Sequence, residues 1–348
     1  MKLGIVVNDV DTEVPTAATT VIAHAAATMG HAVHMMGVGE LSYHSEGRIS
    51  AVSRPAPERG FENQKEFLEA MQGRAAKREV VFWDELDVVY LRYNPVEGPA
   101  GRDWEQDTGI VFGQIAMRQG TLVLNHPTTL GYAVNKLYLE HFPQAVRPRC
   151  VVTRSVEEIL RFYEENRKKI VLKPLRGYGG ADVYLLKGDT SNLNQIVESI
   201  GRSSYIIAQE YLPAAKDGDV RLFMINGRPL QVDGKYAAVR RVNAEGDFRS
   251  NMSAGGKPYK AEITPQMLEI ADIIRPRLLA DGMFEVGIDI VGDKLVEINP
   301  ISSGGLNAAG RLEGVNFGEE LIRAIERKVE HRRHYGNRIP NRELAVME

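Results

Sequence analysis

Two apolar runs joined by one tight turn, Gly287-Ile-Asp-Ile-Val-Gly-Asp-Lys-Leu-Val-Glu-Ile-Asn299, constrain the fold more than any other stretch of this 348-residue chain. Gly292-Asp293 is the kind of dipeptide that turns a β-hairpin, so paired strands are predicted over 287–291 and 294–298. Ile288, Ile290, Val291, Leu295, Val296 and Ile298 mark both strands as buried. Glu297 and Asn299 are two apart and share one face of the pleat, and Asp289 projects from the same face across the turn. Two carboxylates and an amide in apolar surroundings are costly unless a cation or a donor satisfies them. Oxygen ligands of this type suit Mg²⁺, which takes one or two carboxylates plus substrate phosphates. Pairing of Glu297 with an arginine is the alternative these residues leave open.

A second concentration of chemistry is Val171-Leu-Lys-Pro-Leu-Arg-Gly-Tyr-Gly-Gly-Ala-Asp-Val183. A strand ends at Lys173, and Gly177, Gly179 and Gly180 then let the backbone turn its N–H groups toward a polyanion. Lys173 supplies a point charge for a phosphate oxygen. The loop is neither a Walker A motif nor a dinucleotide fingerprint, since it lacks Gly-Lys-Ser/Thr and leads into a strand. A plain glycine-rich hairpin accounts for the same residues. Between the two lies Ala208-Gln-Glu-Tyr-Leu-Pro213, whose strand end, Gln209 to Leu212, offers hydrogen-bonding groups to an adenine edge. Asp217 or Asp219 is placed to meet ribose hydroxyls and Arg221 to meet a phosphate; a charged turn between strands explains these as well.

The rest of the chain supplies a scaffold. Leu3–Val7, Ala32–Met36, Asp87–Arg92 and Thr121–Leu124 are predicted strands, with helices over Thr16–Met29 and Ile110–Gln119. Strands alternating with helices imply a mostly parallel sheet, with a ligand beyond the strands' carboxyl ends near Asn8–Asp11 and Arg92–Pro95. Residues 48–76 are polar and are expected to form a surface excursion, with a helix from Asn63 to Arg78. The middle segment (126–205) reads as a small domain around the mobile glycine loop. The last (206–332) reads as antiparallel strands closed by an amphipathic helix, Phe317–Arg332. Residues 333–348 form a peripheral polar tail.

Composition narrows the function. Hydrophobic residues are 43% and charged residues 26%, a globular balance, and the net charge of −3 gives no general field for nucleic acid or membrane. Cys150 is the single cysteine, so an intrachain disulfide and a Cys-rich zinc site are excluded, in keeping with a reducing compartment. The chain has no apolar run of about 18 residues and no signal-peptide cleavage pattern, so cytoplasm is the expectation. The stretch from 8 to 14 lacks the three spaced glycines of an NAD-binding turn.

Taken in order, Asn135-Lys136, Leu-Lys-Pro with its glycine loop, Gln-Glu-Tyr-Leu-Pro, Asp-Val-Arg and Asp…Glu-x-Asn resemble the ATP-grasp ligases, and in detail bacterial glutathione synthetases. Residues 173–180 are similar to that family's Lys-Pro-Leu-x-Gly-x-Gly-Gly. Residues 211–221 are similar to its Tyr-Leu-Pro-Ala-x-Lys-Asp-Gly-Asp-x-Arg, and 241–256 to its Arg-containing loop ending Asn-x-x-Ala-Gly-Gly. The resemblance covers nearly the whole chain. It implies an ATP-grasp fold, α/β with an α+β C-terminal half: an N-terminal parallel α/β domain (1–125), a small lid domain (126–205) and an antiparallel-sheet domain (206–332). It further implies that Lys136 and Lys173 clamp the phosphates of ATP, with Gly177, Tyr178, Gly179 and Gly180 closing over them. Asp289, Glu297 and Asn299 would hold two Mg²⁺, with Mn²⁺ able to substitute. Arg221 would face an acyl-phosphate, and Arg241, Arg249 and Asn251 would lie on or beside a water-excluding lid.

Two departures fall where specificity resides. The family's metal motif continues Asn-Val-Thr-Ser-Pro-Thr, whereas here it runs Asn299-Pro-Ile-Ser-Ser-Gly-Gly-Leu-Asn307. The N-terminal domain has Arg92-Tyr-Asn-Pro-Val in place of Arg-Lys-Asp-Pro-Pro. Arg92, Ser303, Gly304 and Gly305 are accordingly the expected substrate contacts, the two glycines as a backbone nest for a carboxylate. The implied reaction joins γ-glutamylcysteine to glycine with ATP hydrolysed to ADP and phosphate. The alternatives are another ATP-grasp peptide or amino-acid ligase, or a nucleotide-binding protein without catalysis. The resemblance also implies a homo-oligomer, dimer or tetramer, acting on small molecules.

Overall fold

The computed structural model describes all residues except 96–103, 176, 178–180, 203 and 244–254. Three sheets organise the chain. The first contains β1 (Lys2–Val7), β2 (Ala32–Gly37), β3 (Leu41–Tyr43), β4 (Ile49–Pro55), β5 (Glu79–Phe82), β6 (Val88–Leu91) and β7 (Val123–Leu124), in the order β3-β4-β2-β1-β6-β7 with β5 on β4. β1 pairs in parallel with both β2 and β6, and β6 with β7. Leu3, Ile5 and Val7 pack toward α1 (Ala18–Thr28) and Val6 toward the opposite core, as alternation along a strand buried on both faces requires. Gly4 is needed in this strand because a Cβ there would lie 2.6 Å from Leu86 Cδ1.

The expected excursion at 48–76 is corrected in part. Its first residues form β4, which runs antiparallel to β2, with Ile49 and Ala51 in the core. Arg54 at its end is buried and forks onto Asp11 at 2.6 and 2.7 Å. The helix predicted to run to 78 is only α2 (Gln64–Met71), capped by the Asn63 side chain. Beyond it, α3 (Glu105–Arg118) starts earlier than the apolar pattern suggested, and α4 (Pro127–Ala133) follows β7.

The second sheet holds β8 (Cys150–Thr153), β9 (Lys169–Pro174), β10 (Tyr184–Lys187) and β11 (Ile206–Glu210) in the order β10-β9-β11-β8. Helices α5 (Val156–Glu165) and α6 (Leu193–Gly201) pack on it around a separate small core of Ile159, Tyr163, Leu172 and Ile206. β11 lies between β8 and β9, so the expected boundary at 205/206 cuts through a sheet, and this unit extends at least to Glu210.

The third sheet contains β12 (Asp219–Ile225), β13 (Arg228–Pro229), β16 (Ala238–Val242), β17 (Lys257–Lys260), β18 (Glu285–Val291) and β19 (Lys294–Asn299), with β14 (Gln231–Val232) and β15 (Lys235–Tyr236) forming a ribbon beside it. The main path is β17-β16-β12-β18-β19, antiparallel throughout. The hairpin predicted from Gly292-Asp293 is present, with Gly292 at φ 61°. α7 (Pro265–Ala280), α8 (Leu306–Glu313) and α9 (Phe317–Tyr335) complete the unit, and among the described residues no helix is long and apolar enough to cross a membrane.

The final segment is not peripheral. α10 (Asn341–Leu344) is packed, with Leu344 and Ala345 fully buried. Asn341 accepts from Val123 N and donates to Val123 O, both at 2.9 Å, so a side-chain amide completes the open edge of β7. Lys328 on α9 donates to Asn226 Oδ1 at 2.9 Å and to the Met347 carbonyl at 2.6 Å, anchoring the tail from beneath. Burial, aided by Arg327 and opposed by Glu348, lowers the Lys328 amine to about 7. The unfolded chain therefore binds the extra proton between pH 7 and about 10.5, and Lys328 makes stability rise with pH across that window. Lys328→Met is expected to flatten the rise, by at most about 1.4 kcal/mol per pH unit, in urea titrations at pH 7, 8 and 9. An unchanged slope would remove Lys328 as its source.

Candidate active site

Strand register builds the site. Asp219 on β12 lies directly opposite Arg241 on β16, Arg221 opposite Asp289 on β18, and Asp289 opposite Glu297 on β19. Positions 219 and 221, 287 and 289, and 297 and 299 share a face by the two-residue period of the pleat. The result is a charged ladder across four strands whose other face is apolar core. Arg221 donates Nε to Asp289 Oδ1 and Nη2 to Oδ2, both at 2.7 Å, and Nη1 to the Gly304 carbonyl at 3.2 Å. Arg241 donates Nε to Asp219 Oδ1 at 2.8 Å, bonds Asp219 Oδ2 through Nη2, and reaches Asp289 Oδ2 at 2.8 Å. Burial alone would push the Asp289 carboxyl up, but Arg221 and Arg241 outweigh it and hold it at about 2. Asp219, buried and repelled by Asp289, is raised despite its bonds to Arg241.

The second sheet reaches this ladder at β19. Lys173, at the end of β9, points its ammonium at the Val296 carbonyl on β19, 3.5 Å away. Burial lowers its pKa, with Glu297 opposing and Lys136 assisting. Lys136 lies in a short turn of helix (Lys136–His141) after α4, donates to the Gly177 carbonyl and stands 3.7 Å from Glu297 Oε1. Two ammonium groups and the two hairpin carboxylates are thus gathered around β19. Asn299 Nδ2 lies 3.4 Å from Asp289 Oδ2, so the three expected metal ligands are adjacent.

Other expected contacts are placed differently. Gln209 is buried on β11, and Glu210 accepts from Arg149 N at 2.7 Å and Arg149 Nε at 3.3 Å, which commits that carboxylate to the strand edge. Tyr211 lies under Lys169, whose Nζ is 3.5 Å from the ring centroid, and Leu212 is half-buried at the start of a 3₁₀ turn. Asp217 is exposed, whereas Asp219 is bound by Arg241 and is not free for a ribose hydroxyl.

Arg92 is not a surface ligand. It is 2% exposed and its Nη1 lies 2.5 Å from Glu285 Oε2, beside the Tyr90 hydroxyl. Ser303 is likewise buried, accepting from Gly287 N at 2.9 Å and donating to the Asn299 carbonyl at 2.7 Å. Gly304 offers its carbonyl to Arg221, and Gly305, at φ 106°, precedes α8. Tyr178, Gly179, Gly180, Arg249 and Asn251 lie outside the described residues.

Three residues of the site's support carried weaker signals. Asn125 donates to the carbonyls of Glu285 (2.7 Å) and Pro300 (2.6 Å) and accepts from Glu285 N (2.9 Å), tying both ends of the β18–β19 hairpin to β7. Glu285 stands out only as a charge inside the apolar run from Met283 to Val291. Gly287 was readable as a strand residue but not as a requirement: a Cβ there would meet Ser303 at 3.0 Å.

The sequence matches the prokaryotic glutathione synthetase N-terminal domain over residues 1–130 and the prokaryotic glutathione synthetase ATP-grasp domain over 135–314. The chain belongs to the prokaryotic glutathione synthetase family. Glutathione synthetase of Synechococcus elongatus is 33% identical, the alignment covering 94% of this chain and 98% of the relative. That of Gloeobacter violaceus is 33% identical over 92% and 95%. Among solved structures, D-alanine–D-alanine ligase from Bacillus anthracis complexed with ATP superposes with a TM-score of 0.54 at 12% identity, covering 97% and 100% of the two chains. D-cycloserine synthetase DcsG gives 0.59 at 15%, covering 93% and 99%. At such identities these two establish the ATP-grasp fold alone. This glutathione synthetase relative is an ATP-dependent, ADP-forming C–N ligase.

Proposed function

We propose that the ligase joins the free carboxylate of γ-glutamylcysteine to the amine of glycine through an acyl-phosphate, with Mg²⁺ bound by Asp289, Glu297 and Asn299. One observation carries the site assignment: Asp289 and Glu297 are directly opposite each other on adjacent strands. Like charges so placed destabilise a sheet unless a cation lies between or beside them. The donor set is chemically suited to a hard cation, being two carboxylates and an amide oxygen. Among the described residues no three His, Cys, Asp or Glu side chains converge on a metal position, so phosphate oxygens would complete the coordination. Bound there, the metal supplies charge neutralisation on the phosphates.

The chain's own residues do the rest by position and charge. Lys136 and Lys173, both beside the hairpin, would hold the phosphate tail. Arg221 is on the ladder, 3.2 Å from the Gly304 carbonyl, and so stands between the metal hairpin and the segment where this chain departs from its relatives. The substrate carboxylate attacks the γ-phosphorus, ADP leaves, and the amine then displaces phosphate from the acyl carbon. Arg221 and Arg241 would offset charge on the transferring phosphoryl group.

ADP release with Mg-ATP tests the assignment, adding γ-glutamylcysteine and glycine together and then each alone, with mass spectrometry of the product. Glutathione formed at roughly one per second or faster is expected. ADP release that ignores this pair but answers to another carboxylate and amine would support the second reading, that the 300–305 segment selects a different substrate.

A further inference from the structure

Asp289 is contested by two kinds of cation. A metal ligand needs an available carboxylate oxygen, yet both of its oxygens are bonded to guanidinium groups, at 2.7 Å and 2.7 Å from Arg221 and 2.8 Å from Arg241. The arrangement is built in by register, since Arg221 and Asp289 are cross-strand partners and Arg241 is held in line by its own partner Asp219. All four side chains are buried, with Asp289 only 1% exposed. A carboxylate that deep requires a positive partner at all times, because an unpaired buried charge is strongly destabilising.

We propose that Arg221 and Arg241 are stand-in cations for the metal at Asp289. In the ligand-free enzyme they neutralise the carboxylate and occupy its oxygens. When the metal–nucleotide complex binds, Asp289 exchanges guanidinium for metal, and the released guanidinium groups face phosphate oxygens arriving at the same place. Divalent-ion binding thereby becomes a competition, so the enzyme binds free metal weakly and fills the position only when a phosphate is present to receive the arginines. The inference rests on the metal assignment above and adds a role for the arginines before any substrate has bound. Asp219 restrains Arg241 through two bonds of its own, whereas among the described residues Arg221 has only the Gly304 carbonyl as a further partner, so Arg221 is the more readily exchanged.

The test uses Mn²⁺ alone, titrated into the full-length enzyme without nucleotide and followed by the electron paramagnetic resonance signal of free Mn²⁺. Arg221→Gln and Arg241→Gln are expected to bind Mn²⁺ at least about tenfold more tightly than wild type, and Asp289→Asn in the Arg221→Gln background to abolish that gain. Unchanged or weaker binding in both arginine variants, with binding weakened by Asp289→Asn, would overturn the stand-in role and leave the metal assignment intact. Binding indifferent to Asp289→Asn in every background would overturn the metal assignment, and the stand-in role with it. Since an arginine variant can lose its fold, the wild-type protein provides a second readout. Its Arg221 Nε–Hε resonance, followed by NMR, is expected to shift when Mg²⁺ and a non-hydrolysable ATP analogue are added together, and a resonance that stays put would overturn the proposal.

Discussion

Glu297→Ala is expected to lower the rate of amide formation by about a thousandfold or more, with little change in melting temperature. The magnitude follows from removing an oxygen ligand that, as assigned here, organises the phosphates during transfer, where single electrostatic contacts are worth two to three orders of magnitude. The stability expectation follows from the surroundings. The Glu297 side chain is 27% exposed and its ion-pair partner, Lys136, is 3.7 Å away, so that pair contributes little; Lys173, whose ammonium Glu297 also favours, keeps its bond to the Val296 carbonyl. Stopped-assay ADP release and a thermal melt on the same preparation separate the two effects. Near-normal turnover would remove Glu297 from the metal site, and a large fall in melting temperature would turn the activity loss into a folding defect.

Arg92→Met is expected to show the reverse pattern. Among the described residues it leaves the Glu285 carboxylate, whose side chain is 2% exposed, facing only the Tyr90 hydroxyl at 3.1 Å. Breaking a buried pair by removing one member costs about 3–5 kcal/mol, whereas replacing both by apolar residues of similar volume is often close to neutral. Urea denaturation should therefore place Arg92→Met about 3–5 kcal/mol below wild type and return most of that loss in Arg92→Met/Glu285→Leu. A single variant within about 1 kcal/mol of wild type would show that the pair does not join the N-terminal sheet to the β18–β19 hairpin. If Arg92 instead met substrate directly, the single variant would keep its stability and lose affinity for the acyl donor.

Arg92 also shows where reading by sequence reaches its limit. It follows the carboxyl end of β6, the place where ligands meet an open parallel sheet, and that positional argument made it a substrate contact. Its true partner, Glu285, is separated by 193 residues and belongs to another sheet, so no local pattern connects them. The hairpin at 287–299 was legible because its strands, turn and polar positions lie within one short stretch. The pairing of Arg221 and Arg241 with Asp289 and Asp219 was not, since it depends on the register of three strands far apart in sequence, and a slip of one residue would turn each side chain to the other face. β4 was missed because Ser50, Ser53 and Arg54 dilute its apolar alternation, while its burial comes from β2 and Asp11. The boundary at 205/206 failed for a related reason: the polar stretch Arg202-Ser-Ser204 reads as a linker before β11, and only the insertion of β11 between β8 and β9 assigns it to the second sheet.

The Asn341 amide that completes the edge of β7 has a consequence for how the protein is made. The strands of the first sheet all lie before residue 125, and a ribosome adding roughly 5–20 residues per second exposes them well before position 341 emerges. During that interval the β7 edge presents unpaired backbone groups, the kind of surface onto which a foreign strand can add. Its seal is a single side chain placed 218 residues downstream. Nascent chains and products shortened before α10 would share that open edge, so the last turn of helix acts as the closure that takes the finished enzyme out of the aggregation-prone pool.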